Sequence, residues 1–166
     1  MKIKWFLIGL SLVGLSGCAA QSTAKPASAS STAASTKTSY RRPATTAIQV
    51  TIAGHRLKAH LSQSQPAKQL RRQLPATFRF NGMGAGDPEK TSDLKQVLRV
   101  NHTPSGANPR PGDIAYWSPQ PRLVFYWGDV AYYQGIHVLG HFDQRRRAEK
   151  LIRQQHRPFT VRITAE

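Results

Sequence analysis

The chain has 166 residues, with 24 Lys and Arg against 8 Asp and Glu, a formal charge of +16. So basic a balance favours anionic partners such as lipid headgroups, wall polymers or nucleic acid. The only cysteine is Cys18, which excludes an intramolecular disulfide, so the fold stands on packing and hydrogen bonding alone.

Residues 1–17 divide as a secretory signal. Lys2 and Lys4 supply a positive start, the stretch from Trp5 to Leu15 is mostly apolar, and small residues Ser16 and Gly17 precede Cys18. The apolar run is shorter than the roughly 20 residues a helix needs to cross a bilayer core. It therefore reads as a removable signal. Leu15-Ser16-Gly17-Cys18 resembles the lipobox of bacterial lipoproteins. That resemblance implies a diacylglycerol thioether on Cys18, cleavage before it, and an exported protein lipid-anchored to the cell membrane, facing outward. Two acyl chains at one residue meet the usual two-signal requirement for stable anchoring. Removing Lys2 and Lys4 lowers the 24 basic residues to 22 against 8 acidic, leaving +14. Export makes nucleic acid the least natural anionic partner.

Residues 18–45 are rich in Ala, Ser and Thr and show no apolar period. They read as the lipidated N-terminus and a disordered tether. Its roughly 27 residues would span about 30 Å as a flexible coil. Residues 46–166 suffice for one small domain. Ile48, Val50 and Ile52 alternate with polar residues, Ala53-Gly54-His55 turns the chain, and Leu57, Ala59 and Leu61 alternate again. This pattern predicts a β-hairpin with one buried face. Ser64 and Pro66 open a short helix bearing Ala67, Leu70 and Leu74 on one side, and Pro75 stops it. Phe78 and Phe80 mark a strand. Residues 81–111 are rich in Gly, Pro, Asn and Ser, and only Leu94, Val97, Leu98 and Val100 suggest a short element. Strands are predicted from Ile114 to Trp117, Leu123 to Trp127, and Ile136 to Phe142. Asp143 then caps a helix from about Gln144 to Gln155, and Phe159, Val161 and Ile163 form a last strand. Strands mostly follow strands, so the pattern favours a mainly β fold: a small closed antiparallel β-barrel with two short helices.

Several segments carry a family resemblance over residues 47–166. They are the hairpin from Ile48 to Leu61, the helix from Pro66-Ala67 to Leu74-Pro75, Gly112-Asp113-Ile114-Ala115-Tyr116-Trp117, Leu123-Val124-Phe125-Tyr126-Trp127, and Val138-Leu139-Gly140-His141-Phe142. In order and spacing the domain resembles the bacterial cyclophilin-like fold family, small barrel domains often found in exported lipoproteins. The resemblance implies a fold more than an activity. True cyclophilins set an arginine beside an apolar proline pocket, with a glutamine and a Phe-Met pair. Phe78-Arg79-Phe80-Asn81-Gly82-Met83-Gly84-Ala85-Gly86-Asp87 is similar to that region but lacks the glutamine and differs in spacing. Arg79 is thus a candidate catalytic residue. The alternative is a solvent-facing residue on a strand whose other face carries Phe78 and Phe80.

Tyr116, Trp117, Phe125, Tyr126, Trp127, Tyr132 and Tyr133 fall within eighteen residues. Neighbours on a strand face opposite ways, so these rings cannot all be core. Tyr116, Trp117, Tyr126, Trp127, Tyr132 and Tyr133 are candidate ligand-binding residues for an apolar or proline-containing ligand. The competing reading is barrel core plus ordinary surface tyrosines. His137 and His141 are four apart in a predicted strand, about 13 Å along the chain. One zinc ion needs both nitrogens at about 2.0–2.1 Å, so no metal is expected, and no residue pattern implies a cofactor. The expectation is a non-enzymatic envelope module that binds a peptide, a small ligand or an anionic polymer. A peptidyl-prolyl isomerase acting on exported proteins is the alternative.

Overall fold

A computed structural model describes residues 44–82, 84 and 86–166. Cys18, the signal and the tether expected before residue 44 lie outside the described residues. The strands run β1 (Thr46–Ile52), β2 (His55–Leu61), β3 (Ala76–Gly82), β4 (Glu89–Asp93), β5 (Gly106–Ala107), β6 (Asp113–Trp117), β7 (Arg122–Tyr126), β8 (Tyr133–Gln134), β9 (Ile136–Phe142) and β10 (Phe159–Ala165). Helix α1 (Gln65–Arg72) follows β2, and α2 (Arg145–Arg153) follows β9. Eight strands close a barrel in the order β1-β10-β3-β4-β7-β6-β9-β2, and β5 pairs with β8 beside it. All pairings are antiparallel. The closed antiparallel barrel with two helices is the fold that the alternation predicted. Among the described residues no helix is long and apolar enough to cross a membrane.

Alternation explains the inside of the wall. Ile48, Val50 and Ile52 of β1, Leu57, Ala59 and Leu61 of β2, and Val161 and Ile163 of β10 all enter one core. Ala67 and Leu70 of α1 and Ala148 and Ile152 of α2 join it. The arc β7-β6-β9 differs, because it is buried on both faces. Ile114, Tyr116, Leu123, Phe125, Leu139 and Phe142 point into the main core. Ala115, Val124, Tyr126 and Ile136 form a second apolar cluster, with Ala107, Trp117 and Val130 packed on it. The wall of the barrel separates the two clusters.

Three expectations need correction. The apolar residues 94–100 form neither helix nor strand. Leu98 is nonetheless core, anchored by its backbone N–H, which donates to the Tyr116 hydroxyl at 3.2 Å. Helix α2 is shorter than its pattern and starts after Gln144, not after an Asp143 cap. The Asp143 carboxylate instead takes the His60 Nδ1 at 2.6 Å. A strand was also hidden: β4 has the sequence Glu-Lys-Thr-Ser-Asp, with no apolar side chain at all. It forms because β3 and β7 flank it and use its backbone groups.

Candidate functional site

The register of three strands builds a cleft on the outer face of the doubly buried arc. Glu89 of β4 lies opposite Tyr126 of β7, and Thr91 lies opposite Val124. Arg122 stands between Asp93 of β4 and Trp117 of β6. Trp117 in turn pairs with Ile136 of β9. These side chains project from one face because each sits at an alternate position on its strand. Pro119 and Gln120 from the β6–β7 turn, with Val130 and Tyr133, complete a cleft of about 500 Å³.

Turn geometry shapes one wall. Gly135 has φ +94°, and a Cβ there would lie 2.8 Å from Pro119 Cδ and 3.1 Å from the Trp117 ring. Only glycine accommodates both the backbone angle and the close approach. The Gly135 carbonyl accepts from the Ser118 N–H at 3.0 Å, which fixes β8 against the β6–β7 turn. The Trp117 and Tyr133 rings then meet at 5.5 Å between centroids, tilted by 51°. Tyr133 remains 60 % exposed, so this wall keeps an open apolar surface.

Two charged side chains enter the apolar setting. Burial pushes the Glu89 carboxyl above the ordinary carboxylate range, although a hydrogen bond with Tyr126 opposes the shift. Burial, reinforced by the Glu89 charge, pushes the Tyr126 phenol far up, so it stays neutral and able to donate. The Arg122 Nε donates to Asp93 Oδ1 at 2.9 Å, and Asp93 itself is largely in water. The cleft thus offers rings and branched aliphatics on its walls, with one carboxyl and one guanidinium among them.

The six aromatic candidates are dispersed among four surroundings. Trp117, Tyr126 and Tyr133 line the cleft. Tyr116 is fully buried inside the barrel. Tyr132 is exposed in a depression adjoining the cleft, with its hydroxyl 3.2 Å from Ser105 Oγ. Trp127 lines a different, basic cleft with Arg153. Arg79 is exposed on β3 between buried Phe78 and Phe80, and it lines a separate groove with Thr77 and Lys95. Glu89, Gln120 and Arg122 were not singled out from the sequence. The continuous apolar run Leu123 to Tyr126 carried the available signal, since a strand buried on both faces needs a covered or concave outer side.

No group of three or more His, Cys, Asp and Glu side chains that could hold a metal ion occurs among the described residues. His137 instead bridges two segments beside the cleft, with Nδ1 3.1 Å from Thr103 Oγ1 and Nε2 3.1 Å from Ser118 Oγ. Burial lowers the pKa of His137 and His141, and the Arg145 charge lowers that of His141 further.

Comparisons with known proteins agree with this architecture. A solution structure of a hypothetical protein from Archaeoglobus fulgidus superposes with a TM-score of 0.56 at 13 % identity, covering 76 % of this chain and 99 % of that one. The structure of McbB in complex with tryptophan gives a TM-score of 0.55 at 14 % identity, covering 72 % of this chain and 44 % of that one. At such identities the likeness is one of fold. No curated protein sequence matches the chain. The profile of the cyclophilin-like family matches residues 50–164, nearly the whole barrel from β1 to β10, and the chain belongs to that cyclophilin-like family.

Proposed function

We propose that this protein is a non-enzymatic binding module, held on the outer face of the cell membrane by a lipid on Cys18, and that its outer cleft takes an apolar or proline-bearing segment of a peptide. The cleft itself carries the reading. It is concave, walled by Trp117, Val124, Tyr126, Tyr133 and Ile136, and formed outside the core that holds the barrel together. Apolar pockets with a few placed polar groups are the usual form of ligand sites. Glu89 and Arg122 can meet a peptide's N–H and C=O groups while the rings cover its side chain.

Titration of the full chain with proline-containing peptides, followed by isothermal calorimetry, tests the site. Trp117→Ala should weaken binding about tenfold or more, as loss of a central aromatic anchor does. Arg79→Ala should leave it unchanged. Equal affinities for wild type and Trp117→Ala would remove the cleft from consideration. The anchor has its own test. Cys18→Ala should abolish lipid labelling in cells, and continued labelling would refute lipidation at that residue.

One observation favours the isomerase alternative. Gln120 and Arg122 line the same apolar cleft. An arginine and a glutamine beside a proline pocket are what a likeness to true cyclophilins implies for catalysis, although here the arginine is Arg122 and not Arg79. A proline-isomerisation assay separates the readings. Measurable turnover that Arg122→Ala removes would establish the enzyme, and no turnover in wild type leaves the binding module.

A further inference from the structure

A second cleft, of about 560 Å³, opens between β3, the start of β4 and the segment leading from α2 to β10. Lys90, Arg153, His156 and Arg157 line it, and Asp87 is its one carboxylate among the described residues. These basic groups come from two places in the sequence, Lys90 and the run 153–157, and the fold brings them together. Among the described residues none of the four makes an ion pair. By contrast, Arg145 on the opposite end of α2 is spent on Asp113 at 2.7 Å.

Helix polarity explains part of the cluster. The end of α2 carries about half a negative charge, which a neighbouring cation such as Arg153 offsets. Lys90 and Arg157 make no ion pair among the described residues, and Asp87 is the one carboxylate that lines the cleft with them. Trp127 lines the same cleft, with the Arg153 guanidinium 5.3 Å over its ring. Cations without an ion pair that line one concave site call for a compact acceptor with several oxygens.

We infer that this cleft binds a phosphoryl group, held by Lys90, Arg153 and Arg157 beside the Trp127 indole. The site is separate from the apolar cleft and does not depend on what that cleft binds. The protein's large positive charge would draw such an anion in, with a strength that falls as salt rises.

The test follows the indole and backbone N–H resonances of the purified full chain during titration with sn-glycerol 3-phosphate. The expected result is a saturable shift of the Trp127 indole and the residues around Arg153, with the Trp117 indole unmoved. Lys90→Gln with Arg157→Gln should weaken binding about tenfold or more, because hydrogen bonds to charged groups are the stronger kind. Arg157 is exposed, so Arg157→Lys keeps both fold and charge and should retain binding. Vesicles of phosphatidylcholine with and without phosphatidylglycerol form the second arm. Shifts with glycerol phosphate alone assign a soluble phosphate ester, and protection of the same residues by phosphatidylglycerol vesicles assigns a lipid headgroup. Unsaturable drift spread equally over Arg71, Arg72 and Arg146, or unchanged affinity in the double variant, would overturn the site.

Discussion

Gly140→Ala should open the barrel at its β2–β9 seam. That seam has three register pairs, Ala59 with Phe142, His60 with His141, and Leu61 with Gly140. A Cβ on Gly140 would fall on the His60 carbonyl oxygen and 2.9 Å from Leu61 Cα. Both obstacles are backbone, so no side-chain rotation relieves them and the strands must part. Overpacking of this sort costs about 1–3 kcal/mol. Parting the strands also threatens the flanking bonds from Ser62 N–H to the Leu139 carbonyl at 2.7 Å and from Asp143 N–H to the Lys58 carbonyl at 3.0 Å. Each is worth about 1 kcal/mol. A total of about 3–5 kcal/mol lowers the melting temperature by about 10–20 °C for a domain of this size. Gly54→Ala is the control. Gly54 has φ +81° but open space around it, so only backbone strain of about 1 kcal/mol applies. Urea unfolding of the three proteins measures the differences. If Gly140→Ala unfolded at the wild-type midpoint, or lost less than Gly54→Ala, the seam argument would be wrong.

Two further predictions concern pH. The Glu89 pKa is raised in the folded chain, so the fold binds its proton more tightly than the unfolded chain does. Stability from this group is therefore present below the model-peptide value of 4.5 and declines as pH rises through the folded pKa. Glu89→Gln keeps an acceptor for Tyr126 and should melt no lower than wild type at pH 7; a clear loss of stability there would contradict the burial cost. For His137 the sign is opposite. Its folded pKa lies below the ordinary 6.5, so stability is lost as pH falls from 6.5 through the folded value. His137→Gln should flatten that acid-side decline in a series of melts, and an unchanged slope would show that its bonds to Thr103 and Ser118 play no part.

How far these features could be read from the sequence varied with the kind of information each required. The β1–β2 hairpin was fully legible, because Ile48, Val50, Ile52, Leu57, Ala59 and Leu61 alternate within one short stretch. The split of the aromatics between two faces was also legible, since Tyr116 and Trp117, or Phe125 and Tyr126, must diverge. Strand β4 was not legible. Glu89-Lys90-Thr91-Ser92-Asp93 has no apolar pattern, and its strand character comes from partners elsewhere in the chain. The same limit hid the polar groups of the cleft. Glu89 meets Tyr126, and Asp93 meets Arg122, through pairing between residues distant in sequence. Local pattern reports which face a residue takes, while register decides whom it meets.

The wall between the two apolar clusters has a consequence for how such a protein changes. Ala115, Val124, Tyr126 and Ile136 share strands with Ile114, Tyr116, Leu123 and Phe125, yet their side chains never share a packing neighbourhood with the main core. Side chains on the two sides pack on different partners, so substitutions there couple only through the backbone they share. The outer side can therefore be reshaped while the inner side goes on closing the barrel. A fold arranged in this way lets one face change while the architecture stays put.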